Sequence, residues 1–307
     1  MNETFYRKTG LTITELAQEL LQINKGEKLP IISELQLRLG VSRGTVQNAL
    51  TFLKTQGAIA LENKGHLGTY VSAIDYQILQ KYAISDQVVG TMPLPYSRLY
   101  EGFATGLYEC FGKHNIRLNM AYVRGSKDRI QSVINGVYGF AVTSKFAADR
   151  ALQEGAPIKI ILDFGPHSYL SRHILLFADN SSKQIENGMR IAIDSGSFDQ
   201  RELTNSLTDG FDVTFVEMPG HQIIHGLREG IIDAGVWNYD EIIDKNYQDL
   251  NYRFIESDER QVDMTRAVII VTETSSMIET IVKKNVEIAE LLKVQQSVMA
   301  GAMIPRY

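Results

Sequence analysis

The sequence is poor in cysteine and tryptophan, with one residue of each, Cys110 and Trp237, among 307. A single cysteine excludes an internal disulfide and is typical of a reducing cytoplasm. No apolar run approaches the ~20 residues of a membrane-spanning helix, and residues 1–10 lack the apolar core of a signal peptide. Because 44% of the residues are hydrophobic, we expect a cytoplasmic protein of two globular domains without a membrane segment.

Motifs of the common catalytic centres are also missing. The sequence contains no HExxH, no GxSxG, no paired cysteines and no Walker glycine loop. We therefore predict that the protein is not an enzyme and uses neither a metal nor another cofactor.

Residues 26–71 have the pattern of a winged helix-turn-helix. Proline restricts its own backbone and that of its neighbour, so Lys28-Leu29-Pro30 predicts an extended segment. Ser33 is the predicted cap of a short helix, and Gly40 supplies the turn after it. The apolar residues of that helix are Leu35, Leu37 and Leu39.

A second helix begins after Ser42, its predicted cap. Its apolar residues repeat at helical spacing and predict a buried face, consisting of Val46, Ala49, Leu50 and Leu53. The opposite face would meet base edges and phosphates of double-stranded DNA, as in a recognition helix. With Ser33 and Ser42, the predicted DNA-binding residues of this region are Arg43, Gly44, Thr45, Gln47 and Asn48.

Two short strands, 58–62 and 67–72, are predicted after Gly57, with residues 63–66 as the turn of the wing. Lys64 and His66 at this turn suit a contact with a phosphate or the minor groove. The alternative to DNA binding is a small helical interaction domain with an incidental hairpin.

These residues resemble the GntR-type winged helix of bacterial transcription factors. The matching positions are Leu29-Pro30, Leu39-Gly40-Val41-Ser42-Arg43, Thr45-Val46, Ala49-Leu50 and Gly68-Thr69-Tyr70-Val71. Ser33 and Gln47 stand where that family usually has arginine. Residues 1–75 carry a net charge of only +1, and residues 76–307 carry −6. Because phosphate neutralisation supplies most DNA affinity, we predict a homodimer that presents two winged helices.

The predicted division is a winged helix-turn-helix domain at 1–74, a linker helix at 75–87 and a larger domain at 88–307. In the larger domain short apolar strands alternate with amphipathic helices, which predicts two α/β lobes with mostly parallel sheets. A long helix, 275–298, is predicted to close the chain. The fold class is thus α/β: an N-terminal winged helix-turn-helix followed by a two-lobed effector domain like the periplasmic binding proteins (type 2).

In such a domain a ligand is expected at the carboxyl ends of the strands, between the lobes. Two of these loops, Met92–Glu101 and Asp194–Ser197, turn into helix amino termini that suit an anion. The loops Phe164–Tyr169 and Trp237–Asp240 combine polar and aromatic side chains. The predicted ligand-binding residues are Tyr96, Ser97, Arg98, Ser144, His167, Ser168, Ser195, Ser197, Trp237 and Asn238. At Arg98 a surface pair with Glu101, and at Trp237 an apolar lid on its own lobe, are the structural alternatives.

Several segments resemble the YhfZ family of bacterial regulators over nearly the whole chain. They are MPLPYSRLYEGFATGL, INGVYGFAV, GPHSYL, IDAGVWN and the final PRY. The resemblance implies DNA binding and effector sensing but no particular ligand. We therefore predict a transcription factor that binds operator DNA and senses a small, anionic metabolite. The alternatives are a DNA-binding or assembly protein with a ligand-free second domain, and an enzyme on a binding-protein-like fold.

Overall fold

The computed structural model describes residues 12–83, 88–114, 116–256 and 258–307, which group into two compact units. The first unit contains the described residues up to Val88, residues of the segment Phe111–Leu118, and Ser275–Asn285. The second contains Val89–Cys110, Asn119–Thr274 and Val286–Tyr307 without the undescribed residue 257. The predicted division has only one segment per domain, whereas each observed unit draws on three.

The first unit begins with three helices in the helix-turn-helix arrangement. They are α1 (12–20), α2 (Ile32–Leu39) and α3 (Arg43–Thr55). Gly40, with φ 63°, makes the predicted turn, and Ser42 caps α3 by accepting the Thr45 N–H. The predicted cap at Ser33 is wrong, because α2 starts after Ile31 and Ser33 lies inside its first turn. Of the apolar residues of α2, Leu35 is buried, whereas Leu37 is 84% exposed.

A small sheet forms the wing. Strands β1 (Ile59–Asn63) and β2 (Thr69–Ile74) pair antiparallel, and the residues Gly65–Leu67 form a tight helical turn between them. The segment before α2 pairs with β2, since the Leu29 N–H donates to the Thr69 carbonyl at 2.8 Å. The extended segment and the wing are therefore both confirmed.

Helix α4 (Tyr76–Ala83) follows, capped by the Asp75 carboxylate, and packs within the first unit. The Tyr82 ring contacts Phe52 at 5.1 Å between centroids. On its other side the Gln80 amide oxygen accepts a bond from Asn285, 3.3 Å away. Residues 84–87 of the predicted linker helix lie outside the described residues.

Two five-stranded sheets define lobe one and lobe two of the second unit. The order is β4-β3-β5-β12-β6 in lobe one and β11-β7-β10-β8-β9 in lobe two. The strands are β3 (Val88–Met92), β4 (Leu118–Tyr122), β5 (Phe140–Ser144), β6 (Ile158–Asp163), β7 (His173–Phe177), β8 (Arg190–Ile193), β9 (Thr214–Glu217), β10 (Ala234–Asn238), β11 (Asn251–Phe254) and β12 (Ala267–Thr272).

Both sheets are mixed: β3–β5, β8–β9 and β8–β10 pair parallel as predicted, and one strand of each sheet departs from the mostly parallel arrangement. Strand β12 runs antiparallel to β5 and β6, and β7 runs antiparallel to β10 and β11. The chain enters lobe two through β7 and returns to lobe one through β12, and each crossing reverses the strand direction. The sequence analysis did not identify β7 and β11.

The helices of this unit cover the sheets. They are α5 (Arg98–Lys113), whose last turn lies in the first unit, α6 (Ser126–Ile134), α7 (Lys145–Gln153), α8 (Phe198–Thr208), α9 (Ile223–Arg228), α10 (Tyr239–Asp244), α11 (Glu259–Met264) and α13 (Ile288–Met299). No helix among the described residues has the length and apolar character needed to cross a bilayer.

The predicted closing helix is interrupted. Helix α12 (Ser276–Asn285) belongs to the first unit, and α13 packs in the second unit against α5. Between them Glu287 is extended, with φ −86° and ψ 113°. The two helices bury different stripes, so one straight helix cannot satisfy both. Those stripes are Ile281, Val282 and Asn285 in α12, and Leu291, Gln295 and Val298 in α13.

Each lobe packs one aromatic side chain against the core of the other. Phe198 of α8 packs against the lobe-one core around Ile130, and Phe146 of α7 packs against the lobe-two core around Leu203. Aromatic side chains bury large apolar areas, so this exchange stabilises the contact between the lobes.

The winged helix offers a matched pair of leucines for a stability test. Leu53 is fully buried, so Leu53→Ala should lower the free energy of unfolding by ~2–5 kcal/mol. Leu37→Ala is the control, because at 84% exposure it should change stability by less than ~0.5 kcal/mol. Urea denaturation followed by circular dichroism measures both, and equal effects would contradict the assigned helix faces.

Candidate functional site

The first unit presents a groove between α3 and the wing. Helix α3 buries Val46 and Leu53 and turns its polar face outward. Four side chains from successive turns of that face line the groove, namely Arg43, Gln47, Thr51 and Lys54. From the wing, Asn63, Gly68 and Thr69 line the other side. The arrangement offers a row of hydrogen-bond donors with two cations, which suits a polyanion.

The predicted DNA-binding residues all lie on the exposed parts of this unit. Arg43, Gly44, Gln47 and Asn48 are exposed, and Ser33 lines the groove. Thr45 is half-buried and shares a hydrogen bond with the Ser42 hydroxyl. His66 is exposed at the tip of the wing.

Lys64 is engaged within the wing itself. Its ammonium lies over the Tyr70 ring, 4.9 Å from the centroid, and 3.7 Å from the Glu62 carboxylate. Thr51 and Lys54 were missed in the sequence analysis, which stopped at the first turns of α3. Continuing the spacing of Gln47 by four and seven residues identifies both.

In the second unit a cavity lies where strands of both lobes end. It has about 480 Å³ of empty space, which includes open solvent at its mouth, so the enclosed part is smaller. Its lining is Pro93, Tyr96, Tyr100, Arg124, Gly125, Ser126 and Arg129 from lobe one, Tyr169 and Leu170 from the crossover, and His173, Asp194, Ser197, Asp199, Gln200, Gly220, His221, Trp237 and Asn238 from lobe two. This is the position at which ligands bind open α/β sheets.

Hydrogen bonds from three donor groups join the lobes at this cavity. The Ser144 hydroxyl donates to both carboxylate oxygens of Asp199 at 2.8 Å. The Phe198 N–H donates to the Ser126 hydroxyl, and the Lys127 N–H donates to the Gly196 carbonyl, both at 3.0 Å. The lobes are therefore closed on each other.

Lobe one contributes a buried guanidinium. Arg129 is 3% exposed and is fixed by three bonds of 2.8–3.1 Å, to the carbonyls of Val123 and Val142 and to the Tyr169 hydroxyl. The Tyr169 ring packs edge-on against Tyr100, and Tyr96 packs against Tyr100 in turn. Burial raises the pKa of all three phenols, so they are neutral donors at pH 7.

Lobe two contributes two buried carboxylates. Asp194 is 6% exposed, and its oxygens accept the N–H groups of Gly196 and Gly220. Burial raises the pKa of Asp199 to about 7, although the Ser144 hydroxyl and the Arg129 charge act in the opposite direction. Burial also lowers the pKa of His173 to about 4, so its ring is neutral at pH 7.

Of the predicted ligand-binding residues, Tyr96, Ser197, Trp237 and Asn238 line this cavity. Trp237 is 2% exposed, belongs to the lobe-two core and donates its indole N–H to Glu241 at 2.7 Å. Its ring lies 5.2 Å from that of Tyr96. Trp237 therefore packs in the apolar core of its own lobe and also lines the cavity, so each of the two predicted alternatives describes part of its environment.

Carboxylates of the protein itself occupy both predicted anion positions. At the start of α5 the Arg98 N–H donates to Asp244 at 2.6 Å, and Ser97 only caps the helix. After β8 the N–H and hydroxyl of Ser195 both bind Glu217, and these bonds lower the pKa of that carboxylate. Ser97, Arg98 and Ser195 do not line the cavity, because these partners hold them elsewhere.

The remaining predicted residues have structural contacts. Ser144 caps α7 and binds Asp199. Ser168 is 2% exposed, donates to the Gly165 carbonyl and accepts the Ala267 N–H, which ties the two crossover segments together. His167 lies beside it and binds the Ser171 carbonyl. None of the three lines the cavity.

The sequence analysis missed several lining residues for identifiable reasons. Arg124–Ser126 and Gly220–His221 follow β4 and β9, so inspecting every strand end would have found them. His173 lies on β7, which was not predicted. Arg129 and Asp199 lie on helices, and only their burial in the folded protein distinguishes them from surface charges.

The fold and this cavity define a winged helix-turn-helix joined to a binding-protein-like domain. Residues 24–71 match a helix-turn-helix domain model, and residues 75–307 match the model of the YhfZ C-terminal domain. The chain is 33% identical to the YhfZ protein of Escherichia coli (strain K12) over the full length of both. The protein therefore belongs to the YhfZ family.

One solved structure supports this family, and a second supports the fold. The crystal structure of YhfZ from Shigella flexneri superposes with a TM-score of 0.61 at 31% identity, covering 75% of this chain and 97% of that one. The periplasmic aliphatic sulphonate binding protein SsuA from Escherichia coli gives a TM-score of 0.52 at 12% identity, covering 71% and 76%. The second likeness shows the binding-protein fold alone.

The buried Asp199 makes a testable contribution to stability. Between pH ~4 and ~7 its raised pKa lets the folded protein bind a proton that the unfolded chain has lost, so this contribution falls as pH rises. Asp199→Asn keeps an acceptor for Ser144 and removes the titration. Its unfolding free energy relative to wild type should therefore rise by on the order of 1 kcal/mol per pH unit across this window.

Urea denaturation at pH 4.5, 5.5 and 6.5 measures this difference. His173, whose pKa is lowered, contributes stability that rises with pH up to ~6.5 in both proteins and so cancels. The exposed Asp209→Asn variant is the control and should run parallel to wild type. If the unfolding free energy of Asp199→Asn also changes with pH as it does in wild type, the raised pKa assigned to Asp199 is contradicted.

Proposed function

We propose that this protein is a bacterial transcription factor that binds operator DNA through α3 and the wing, and responds to a small molecule held between its lobes. The observation that carries the proposal is a polar cavity between two lobes that contact each other, in the same chain as a winged helix. As a DNA-binding regulator it would act in the cytoplasm.

Support for the DNA contact comes from the face of α3. Arg43, Gln47 and Lys54 are exposed at helical spacing and share one groove with the wing. A cation can neutralise a phosphate, and the Gln47 amide can form two hydrogen bonds with one adenine base. Docking α3 in the major groove would bring the turn with His66 toward the adjacent backbone.

Pairing of two chains follows from the low charge of this unit. Residues 1–75 carry a net charge of +1, and each phosphate neutralised contributes to affinity through release of counterions. A homodimer doubles the number of cations on a two-fold operator. The GntR-like positions around Arg43 support the same arrangement.

The cavity supports effector binding of a particular kind. Its buried charged groups are one guanidinium and two carboxylates, the exposed Arg124 also lines it, and the predicted anion positions are filled by Asp244 and Glu217. A simple anion is therefore a poorer match than a small molecule with several polar groups. For a signal to pass, this molecule must favour one conformation of the protein over another.

The first experiment tests the DNA contact. Arg43→Ala and Lys54→Ala should each weaken binding to duplexes selected from a random pool by about 5- to 100-fold, the loss typical of one important contact. If the residue meets phosphate, the salt dependence of log K should fall by about one unit in slope. Fluorescence anisotropy over a series of salt concentrations measures both quantities.

Lys81→Ala is the matched control, since Lys81 is an exposed cation on α4, away from the groove. Its affinity should equal that of wild type. Equal losses in all three variants would indicate only a general charge effect, and unchanged affinity for Arg43→Ala and Lys54→Ala would exclude α3 as the recognition helix.

Native mass spectrometry of protein purified under mild conditions tests pairing and effector together. We expect twice the chain mass of 34.5 kDa with a small-molecule excess that disappears on unfolding. A monomer at the concentrations that bind DNA would contradict the dimer. An unliganded mass, together with no thermal shift in a bacterial small-molecule extract, would contradict effector binding.

A further inference from the structure

The buried charges that line the cavity are separated by lobe, and the exposed Arg124 also lines it from lobe one. Lobe one supplies the guanidinium of Arg129, which is 3% exposed, and lobe two supplies the carboxylates of Asp194 and Asp199, which are 6% and 5% exposed. No ion pair joins Arg129 to either carboxylate within the described residues. A cavity of this kind is positive on one side and negative on the other.

Arg129 has N–H donors available for a ligand. A guanidinium has five N–H donors, and the described residues accept three of them, one each from Nε, Nη1 and Nη2. These bonds hold the planar group rigidly in the lining. Two N–H groups are left, which is the number that one carboxylate accepts in a bidentate pair.

Asp194 also has capacity. Each oxygen accepts one backbone N–H, from Gly196 at 3.0 Å and from Gly220 at 2.8 Å. A carboxylate oxygen accepts about two hydrogen bonds, so each keeps an acceptor position. Burial of a charge is costly unless a counter-charge lies near it. Arg129 forms no ion pair within lobe one, and Asp194 and Asp199 form none within lobe two, as far as the described residues show.

We propose that the cavity binds a small zwitterion of the amino-acid class, with its carboxylate on Arg129 and its ammonium group at Asp194 and Asp199. Such a ligand neutralises a buried charge on each lobe and joins the two lobes through itself. This inference rests on the proposed effector function and specifies the chemistry of that site.

The rest of the lining agrees with this class. Tyr100, Tyr169 and Trp237 offer aromatic faces, which attract ammonium groups as well as apolar side chains. Asn238 and Gln200 add donors and acceptors for a polar substituent.

The test compares matched compounds on the wild-type protein. The probes are the proteinogenic amino acids with β-alanine and γ-aminobutyrate. For each compound that binds, the matched analogues are the hydroxy acid, the carboxylic acid without the amino group and the decarboxylated amine. Fluorescence of Trp237, the only tryptophan of the chain and part of the lining, reports binding.

We expect at least one zwitterion to bind, and each matched analogue to bind at least tenfold more weakly because one buried charge is left without a partner. Tighter binding of a hydroxy acid, a plain carboxylate, an amine or a neutral sugar would overturn the inference while leaving effector binding intact. If neither these probes nor a bacterial small-molecule extract binds, the effector function fails as well.

Variants identify the groups involved. Asp194→Asn should weaken the amino acid at least tenfold and leave the matching hydroxy acid unchanged, whereas the exposed Asp209→Asn control should change neither. Arg129→Gln should weaken the carboxylate-bearing probes and spare the amine. Because both side chains also hold backbone groups, thermal unfolding checks that each variant is folded, and the wild-type comparison remains decisive if one is not. Equal affinity of Asp194→Asn and wild type for the amino acid, in a folded variant, would overturn the assignment.

Discussion

The hydrogen bond from the Ser144 hydroxyl to Asp199 is the contact on which the second unit depends. It joins the end of β5 in lobe one to the first turn of α8 in lobe two. Fixing α8 there places Phe198 in the lobe-one core and sets Asp199 and Gln200 in the cavity lining. A carboxylate so buried is stable only with a hydrogen-bond donor or a proton, so closure of the lobes, the shape of the cavity and its charge are linked through one residue.

A second constraint is that the protein fills its own anion positions. The start of α5 is occupied by Asp244, and the loop after β8 is occupied by Glu217. Helix amino termini attract any anion, and these carboxylates prevent that general attraction from deciding what binds. In the proposed effector site, selectivity would then depend on the buried side chains of Arg129, Asp194 and Asp199, which hydrogen bonds hold in place.

The first unit shows how a winged helix is extended by segments remote in sequence. Helix α12 lies 200 residues after α4, yet Asn285 and Gln80 share a buried hydrogen bond. The Lys284 ammonium lies over the Tyr76 ring, and burial lowers its pKa. The interruption at Glu287 lets α12 serve the first unit and α13 the second. The first unit thus draws on three separate segments of the chain, not on the N-terminal segment alone.

The sequence by itself determined the winged helix, because its signals are local: Gly40 and Ser42 fix the turn and cap, and Val46, Ala49 and Leu53 repeat within one helix. It also determined the alternation of strands and helices and the family. The tertiary structure alone decided which charges share the cavity, because Arg129, Asp194 and Asp199 are separated by up to 70 residues and look like surface residues in sequence. Edge strand β11 and the interrupted closing helix were decided in the same way. The apolar pattern of β11 is too short to predict a strand, and that of residues 275–298 continues through the interruption. Only packing against residues distant in sequence determines both.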